Sequence, residues 1–153
     1  MNLFLSHYTN KLDKKGRVSL PSSFRSVLPK ENKNEIILFK SLKYKSIEGC
    51  SSQRISKIAN RIDKLDIFSD DQEDFSTSIF SEIVSTNLDK EGRFIIPEKL
   101  KEYSNINNEA AFIGQGHYFQ IWEPNKGLIN TEVSRKRLLK EKKSLRMMLT
   151  LQK

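Results

Sequence analysis

Cysteine occurs once among the 153 residues, at Cys50, and histidine twice, at His7 and His117. A lone cysteine cannot form an internal disulfide, so a reducing compartment is expected. Neither histidine has a cysteine or carboxylate at metal-ligand spacing, which favours surface or structural roles over zinc binding. Cys50 has no histidine close in sequence and reads as a partly buried thiol. Glycine is sparse: the cluster Gly114-Gln115-Gly116 lacks the third glycine and following helix of a phosphate loop, and it reads as a strand-to-strand turn. No apolar run approaches the roughly 20 residues of a membrane span. The opening residues Met1 to Ser6 lack the basic start and long apolar stretch of a secretory signal. The expected protein is soluble and cytoplasmic, with no cofactor, no small-molecule substrate, no membrane partner and no catalytic constellation to make it an enzyme.

What is abundant is positive charge. Lys and Arg number 27 against 19 Asp and Glu, a formal net charge of +8, which points to a polyanionic partner. After Val133 come Arg135, Lys136, Arg137, Lys140, Lys142, Lys143 and Arg146, whereas Asp66, Asp70, Asp71, Glu73, Asp74 and Glu82 make the middle of the chain acidic. Such blocks also read as solvated helix faces, and the two can meet within one molecule or between neighbours.

A repeat organises the chain. Leu12-Asp13-Lys14-Lys15-Gly16-Arg17-Val18-Ser19-Leu20-Pro21 returns as Leu88-Asp89-Lys90-Glu91-Gly92-Arg93-Phe94-Ile95-Ile96-Pro97. Leu, Asp, Lys, Gly, Arg and Pro recur in order while the apolar positions vary, so the turn and its charges are the retained feature. Tyr8 to Leu12 and Arg17 to Leu20 read as two strands of a β-hairpin around the turn. Asp13 and Asp89 can accept backbone N–H bonds there, and Gly16 and Gly92 can take positive φ. Pro21 and Pro97 are placed to open helices at the first position. Phe24, Val27 and Leu28 then follow at helical spacing, as do Leu100 and Tyr103.

The duplication continues, since Glu35-Ile36-Ile37-Leu38-Phe39 aligns with Glu109-Ala110-Ala111-Phe112-Ile113, and Tyr44 and Ile47 align with Tyr118 and Ile121. Each copy is hairpin, short helix, then two strands. A unit of about forty residues buries too little alone, so both copies should share one core. The expected segments are a first repeat over 1–50, an inter-repeat helical segment over 51–84, a second repeat over 85–125 and a basic helical tail over 126–153. Ile55, Ile58, Ile62 and Leu65 fall on one helical face, and a second helix is expected over Phe75 to Val84. A tail helix from Val133 to Leu151 carries an imperfect apolar face of Leu138, Leu139, Leu145, Met147, Met148 and Leu149, fit for an oligomer contact, a nucleic-acid arm or a frayed end.

The paired turns Asp13 to Arg17 and Asp89 to Arg93, each followed by a short strand and proline, resemble those of the MraZ family of bacterial transcriptional regulators. The stretch Gly114 to Pro124 is similar to that family's second-repeat close, and Leu3 to Leu28 to its opening. The resemblance covers most of residues 1–125. It implies an α+β fold: an AbrB-like swapped-hairpin β-barrel formed by two tandem repeats, with short flanking helices. It also implies a homo-oligomeric ring, association with the nucleoid, and binding of double-stranded DNA at short direct repeats upstream of the division and cell-wall gene cluster that contains its own gene, usually as a repressor. A ring on direct repeats gains from effective concentration, and repeats about one helical turn apart present one groove face to successive subunits.

The resemblance places Arg17 and Arg93 as contacts to phosphate or guanine, with Lys11, Lys14, Lys15, Arg25 and Lys90 beside them. Asp13, Gly16, Asp89 and Gly92 read as turn-formers, because a carboxylate repels DNA and suits a turn. Each Asp can equally hold its own Arg across the turn. Glu91 stands where copy one has Lys15, so copy one is expected to make the main contacts and copy two to serve assembly. Two other classes stay open. A single-stranded RNA binder needs exposed aromatics, and Phe39, Tyr44, Phe112 and Tyr118 sit in core-like strands; an antitoxin of the same fold usually carries a single copy.

Overall fold

The computed structural model describes residues 2–151; Met1, Gln152 and Lys153, the outer ends of the expected first-repeat and tail segments, lie outside the described residues. In chain order the elements are β1 (His7–Lys11), β2 (Arg17–Ser19), α1 (Ser22–Arg25), β3 (Glu35–Lys40), β4 (Ile47–Cys50), α2 (Ser52–Asp63), α3 (Asp70–Ile79), β5 (Val84–Asn87), β6 (Arg93–Ile95), α4 (Glu98–Ser104), β7 (Glu109–Gly114), β8 (Phe119–Trp122), α5 (Pro124–Lys140) and α6 (Leu145–Leu151). The order β-β-α-β-β occurs twice, as the repeat requires.

The strands pair between copies. β1 lies antiparallel to β7 of the other copy, β5 to β3, and β2 to β6. The expected hairpins are therefore closed only at the turn, where Asp13 N–H donates to the Arg17 carbonyl at 2.9 Å and Asp89 N–H to the Arg93 carbonyl at 2.8 Å. Beyond those bonds the two strands of each hairpin part and find partners elsewhere. One sheet has six strands in the order β1-β7-β8-β4-β3-β5, and the other is the two-stranded β2-β6 ribbon. The fold is thus α+β with antiparallel sheets, but the expected closed barrel is absent. β1 and β5 are the sheet's edges, and the ribbon strands are three residues each. Pro21 and Pro97 follow closely and, lacking an N–H, cannot extend either ribbon strand.

Alternation along the strands sends one set of side chains into a core drawn from both copies. Val18, Leu20, Phe24, Ile36, Leu38 and Ile47 meet Phe94, Ile96, Leu100, Phe112, Phe119 and Ile121 there. Phe24 stands at its centre, with ring centroids 5.3 Å from Phe4, 5.3 Å from Phe119 and 6.4 Å from Phe112. The opposite face of the sheet carries a smaller cluster, in which Ile37, Phe39 and Cys50 pack under Ile55, Ile58, Ile62 and Ile79 of α2 and α3. Burial pushes the Cys50 thiol up to about 12, so it is an inert packing group.

The helices deviate from expectation for local reasons. Pro21 and Pro97 sit at the N-cap, not at the first helical position; their carbonyls accept the first amides of α1 and α4. α3 begins at Asp70 because Asp70, Asp71 and Glu73 complement the positive end of its dipole; it ends at Ile79 and a 3-10 turn, Phe80–Glu82, leads into β5. The tail helix starts at Pro124, well before Val133: Glu123 caps it by accepting from the Asn125 and Lys126 amides, both at 3.1 Å. It breaks after Lys140, where Lys142 takes φ 53°, and resumes as α6. Among the described residues no helix is long and apolar enough to cross a membrane.

Candidate nucleic-acid interface

The β2-β6 ribbon brings the two Arg-bearing motifs together. In its register Arg17 faces Ile95, Val18 faces Phe94 and Ser19 faces Arg93. Val18 and Phe94 are buried, so alternation turns Arg17, Ser19, Arg93 and Ile95 to the outer face. The two Asp turns extend from opposite ends of the ribbon, and the arginines stand two residues apart, about 7 Å along the strands. A two-stranded ribbon of this kind fits the major groove of B-DNA.

Each turn is built by one carboxylate. Asp13 Oδ1 accepts from the amides of Lys15 at 2.9 Å and Arg17 at 2.8 Å, and its Oδ2 accepts from Arg17 Nε at 2.7 Å. Asp89 repeats the pattern with the Glu91 and Arg93 amides, both at 2.9 Å, and with Arg93 Nε at 3.1 Å. Gly16 and Gly92 close the loops at φ 81° and 77°, in the left-handed region where a side chain is strained. Asp and Gly thus make the bend, and the bend fixes the stem of each arginine.

The two arginines are committed to different degrees. Arg17 uses only Nε, and its two Nη groups make no hydrogen bond or ion pair among the described residues. Arg93 is held twice, through Nε to Asp89 and through Nη2 to Glu91. Copy one also offers Lys11, Lys14 and Lys15, all exposed, while copy two offers exposed Lys90 beside Glu91. Arg25 is half-buried and also serves the fold. Its Nη1 donates to the Leu20 carbonyl, and its side chain lies so close to Gly92 that a Cβ there would stand 2.6 Å from Nη1. Arg25 therefore props the second turn from within. Ile95, which no motif in the sequence marks, is an apolar residue 55% exposed beside Arg17; the alternation that buries Phe94 and Ile96 is what turns it outward.

The backbone amide of Arg17 is the main cause holding the Asp13 carboxyl below its usual range, and that of Arg93 does the same for Asp89. A carboxylate depressed in the folded state stabilises the turn above its unfolded value, near 3.8, and this contribution is lost as pH falls through the folded value. The Lys15 and Arg17 amides are expected to keep their hydrogen-exchange protection from neutral pH down to about 4 and to lose it below, with Asp13→Asn removing the pH dependence. Protection that persists unchanged in stronger acid would show that the carboxylate does not close the loop.

No group of three or more His, Cys, Asp or Glu that could hold a metal occurs among the described residues. His7 and His117 are both exposed. Comparison with known proteins adds three findings. A family model described as "MraZ protein, putative antitoxin-like" matches residues 79–126. A protein of Pelagibacter ubique (strain HTCC1062) named "Transcriptional regulator MraZ" is 48% identical over 122 residues, 80% of this chain and 79% of that protein. One of Rickettsia rickettsii (strain Sheila Smith) with the same name is 43% identical over 124 residues, 81% of this chain and 83% of the relative. With the Asp turns of both copies intact and four-fifths of its length matched at these identities, the chain belongs to the MraZ family.

Proposed function

We propose that this chain is a transcriptional regulator that binds double-stranded DNA through the outer face of the β2-β6 ribbon, with copy one leading. One observation carries the reading: Arg17 is fixed at its stem by Asp13 while both Nη groups are left free on an outward, cation-flanked surface. Two free Nη groups on a held stem suit a bidentate contact to guanine O6 and N7. Ile95, next to it, suits a thymine methyl. Arg93, committed to Asp89 and Glu91, contributes less to readout and more to holding its own turn.

The exchange of strands between copies supports the AbrB-type swapped-hairpin reading, with the two halves of one chain serving as a pseudo-dimer. In the cell the targets are short direct repeats upstream of the division and cell-wall gene cluster, occupied by a homo-oligomeric ring at the nucleoid, with repression as the usual outcome. Several weak contacts then act together through effective concentration. A single-stranded RNA role is disfavoured by the burial of Phe39 and Phe112, which leaves these aromatics no face for base stacking.

Lys14 and Lys15 act on phosphates. Replacing either by Ala is expected to lower the slope of log affinity against log salt by about 0.9 in magnitude per subunit contact, while sequence preference stays the same. A slope unaltered in both variants would place these lysines away from the DNA and reject copy one as the leading surface.

A further inference from the structure

Both helical layers lie on the sheet face opposite the main core, but on different halves of it. α2 and α3 cover Ile37 and Phe39 of β3, and α5 covers β7 and β8, where Gly127 packs so closely that a Cβ would stand 2.9 Å from Trp122 Cβ. In the first layer α2 carries Arg54, Lys57 and Arg61, but the turn after it and α3 are acidic: from Asp66 to Glu82 there are six carboxylates and no Lys or Arg. The second is basic and leaves the sheet; Gly127 is the buried residue of α5, and residues 135–150 are exposed throughout.

Each layer also carries apolar surface with no cover. On the acidic side Ile67 and Phe68, in the turn between α2 and α3, are 69% and 90% exposed. On the basic side the bend between α5 and α6 forms a hollow of about 430 Å³ lined by Leu138, Leu145, Met147 and Met148 with Lys143 and Ser144. Lys140, Lys142 and Arg146 flank it. Lys143 pairs with Glu141 at 2.7 Å, and among the described residues no ion pair joins this arm to the acidic 66–82 segment of its own chain. Knob and hollow thus match in chemistry and in surrounding charge, and neither is used within the monomer.

We infer that Phe68 of one copy seats in the α5-α6 hollow of the next, with Asp66, Asp70 and Asp71 around it facing Lys140, Lys142 and Arg146. This deepens the ring reading given above and rests on it, since it names the surfaces that join the subunits. The two surfaces differ and lie on different halves of one face, so the contact is heterologous and propagates head to tail, which closes into a ring when the rotation per subunit allows. A DNA-binding arm is the competing use of so many cations, but a Leu- and Met-lined hollow suits an aromatic side chain better than a phosphate backbone. Met is adaptable enough to close around such a knob.

The test is sedimentation of the full chain together with crosslinking. The wild type should sediment as an oligomer that dissociates as salt rises, and Phe68→Asp and Leu145→Asp should each sediment as folded monomers with the wild-type circular dichroism spectrum, since both sites are exposed in the single chain; their melting temperature should fall to that of the dissociated wild type. Mixing Phe68→Cys with Met148→Cys should give a dimer with a bismaleimide that neither variant gives alone; buried Cys50 contributes no background. If the wild type is oligomeric, and both Asp variants remain so with no mixed crosslink, this interface is wrong and the ring reading survives. A wild type that is monomeric at all concentrations overturns both. Monomer-forming variants that fail to crosslink would also refute the pairing of Phe68 with this hollow.

Discussion

Arg17→Ala is expected to weaken binding to the proposed upstream target DNA by roughly one to two orders of magnitude per engaged subunit. A bidentate arginine–guanine contact carries about 1–3 kcal/mol of discrimination, and 1.4 kcal/mol is tenfold in affinity. The loss falls on specific binding, so the preference for upstream over unrelated DNA should shrink with it. Folding should be little affected, because the Arg17–Asp13 pair is partly exposed and solvent screens it. Asp13 still accepts the Lys15 and Arg17 backbone amides after the truncation. Arg17→Lys should not restore readout, since an ammonium cannot reproduce the guanidinium fork. Arg93→Ala should cost less affinity, in keeping with its prior engagement by Asp89 and Glu91. Equal retardation of operator DNA by wild type and Arg17→Ala in a gel shift would reject the assignment.

The second large effect is on stability. Phe24 is fully buried and belongs to copy one, yet its ring meets Phe112 and Phe119 of copy two. Phe24→Ala is expected to cost about 3–5 kcal/mol, the usual range for removing a core phenylalanine. For a chain of this length each kcal/mol lowers the melting temperature by about 2–4 °C, so a fall of roughly 6–20 °C should follow. Because every strand pairing of β1 and β5 crosses between copies, both halves should unfold in a single transition, measurable by calorimetry and by fluorescence of Trp122 in copy two. Two separate transitions, with the Trp122 signal unmoved by the substitution, would mean that the copies fold independently.

These expectations draw on different parts of the chain's legibility. The turns could be read from residue identity, because Asp at the start and Gly at the close suit that bend, and the structure returns both copies with the same bonds. The faces of the strands could also be read, since alternation decides which side is buried. What alternation does not carry is the identity of the neighbouring strand. Tyr8 to Leu12 fits β2 or β7 equally well on pattern; the observed pairing with β7 goes with a core in which Phe24 is buried among residues of both copies.

The helical segments show the same limit. The face of Ile55, Ile58 and Ile62 marks α2 because its burial repeats at helical spacing. The start of α5 at Pro124 was hidden, since it depends on Glu123 reaching two amides and on the absence of a side chain at Gly127, where helix and sheet touch. Arg25 shows what charge alone does not carry: its position in sequence matches a DNA-facing cation, and its Nη1 also donates to the Leu20 carbonyl beneath the other copy's turn. In the opposite sense, the freedom of Arg17 relative to Arg93 follows from one difference that was visible, Glu91 in place of Lys15.

In the proposed complex Arg17 reads guanine from the major groove. Dimethyl sulfate interference tests it in one experiment, since the reagent methylates guanine N7 in the major groove and adenine N3 in the minor groove. With wild-type protein and the upstream DNA, premethylation of guanine should block binding at positions recurring once per direct repeat, roughly 10 base pairs apart, and adenine methylation should be tolerated. Interference confined to adenines, or none at any guanine within a protected region, would mean that Arg17 does not read guanine.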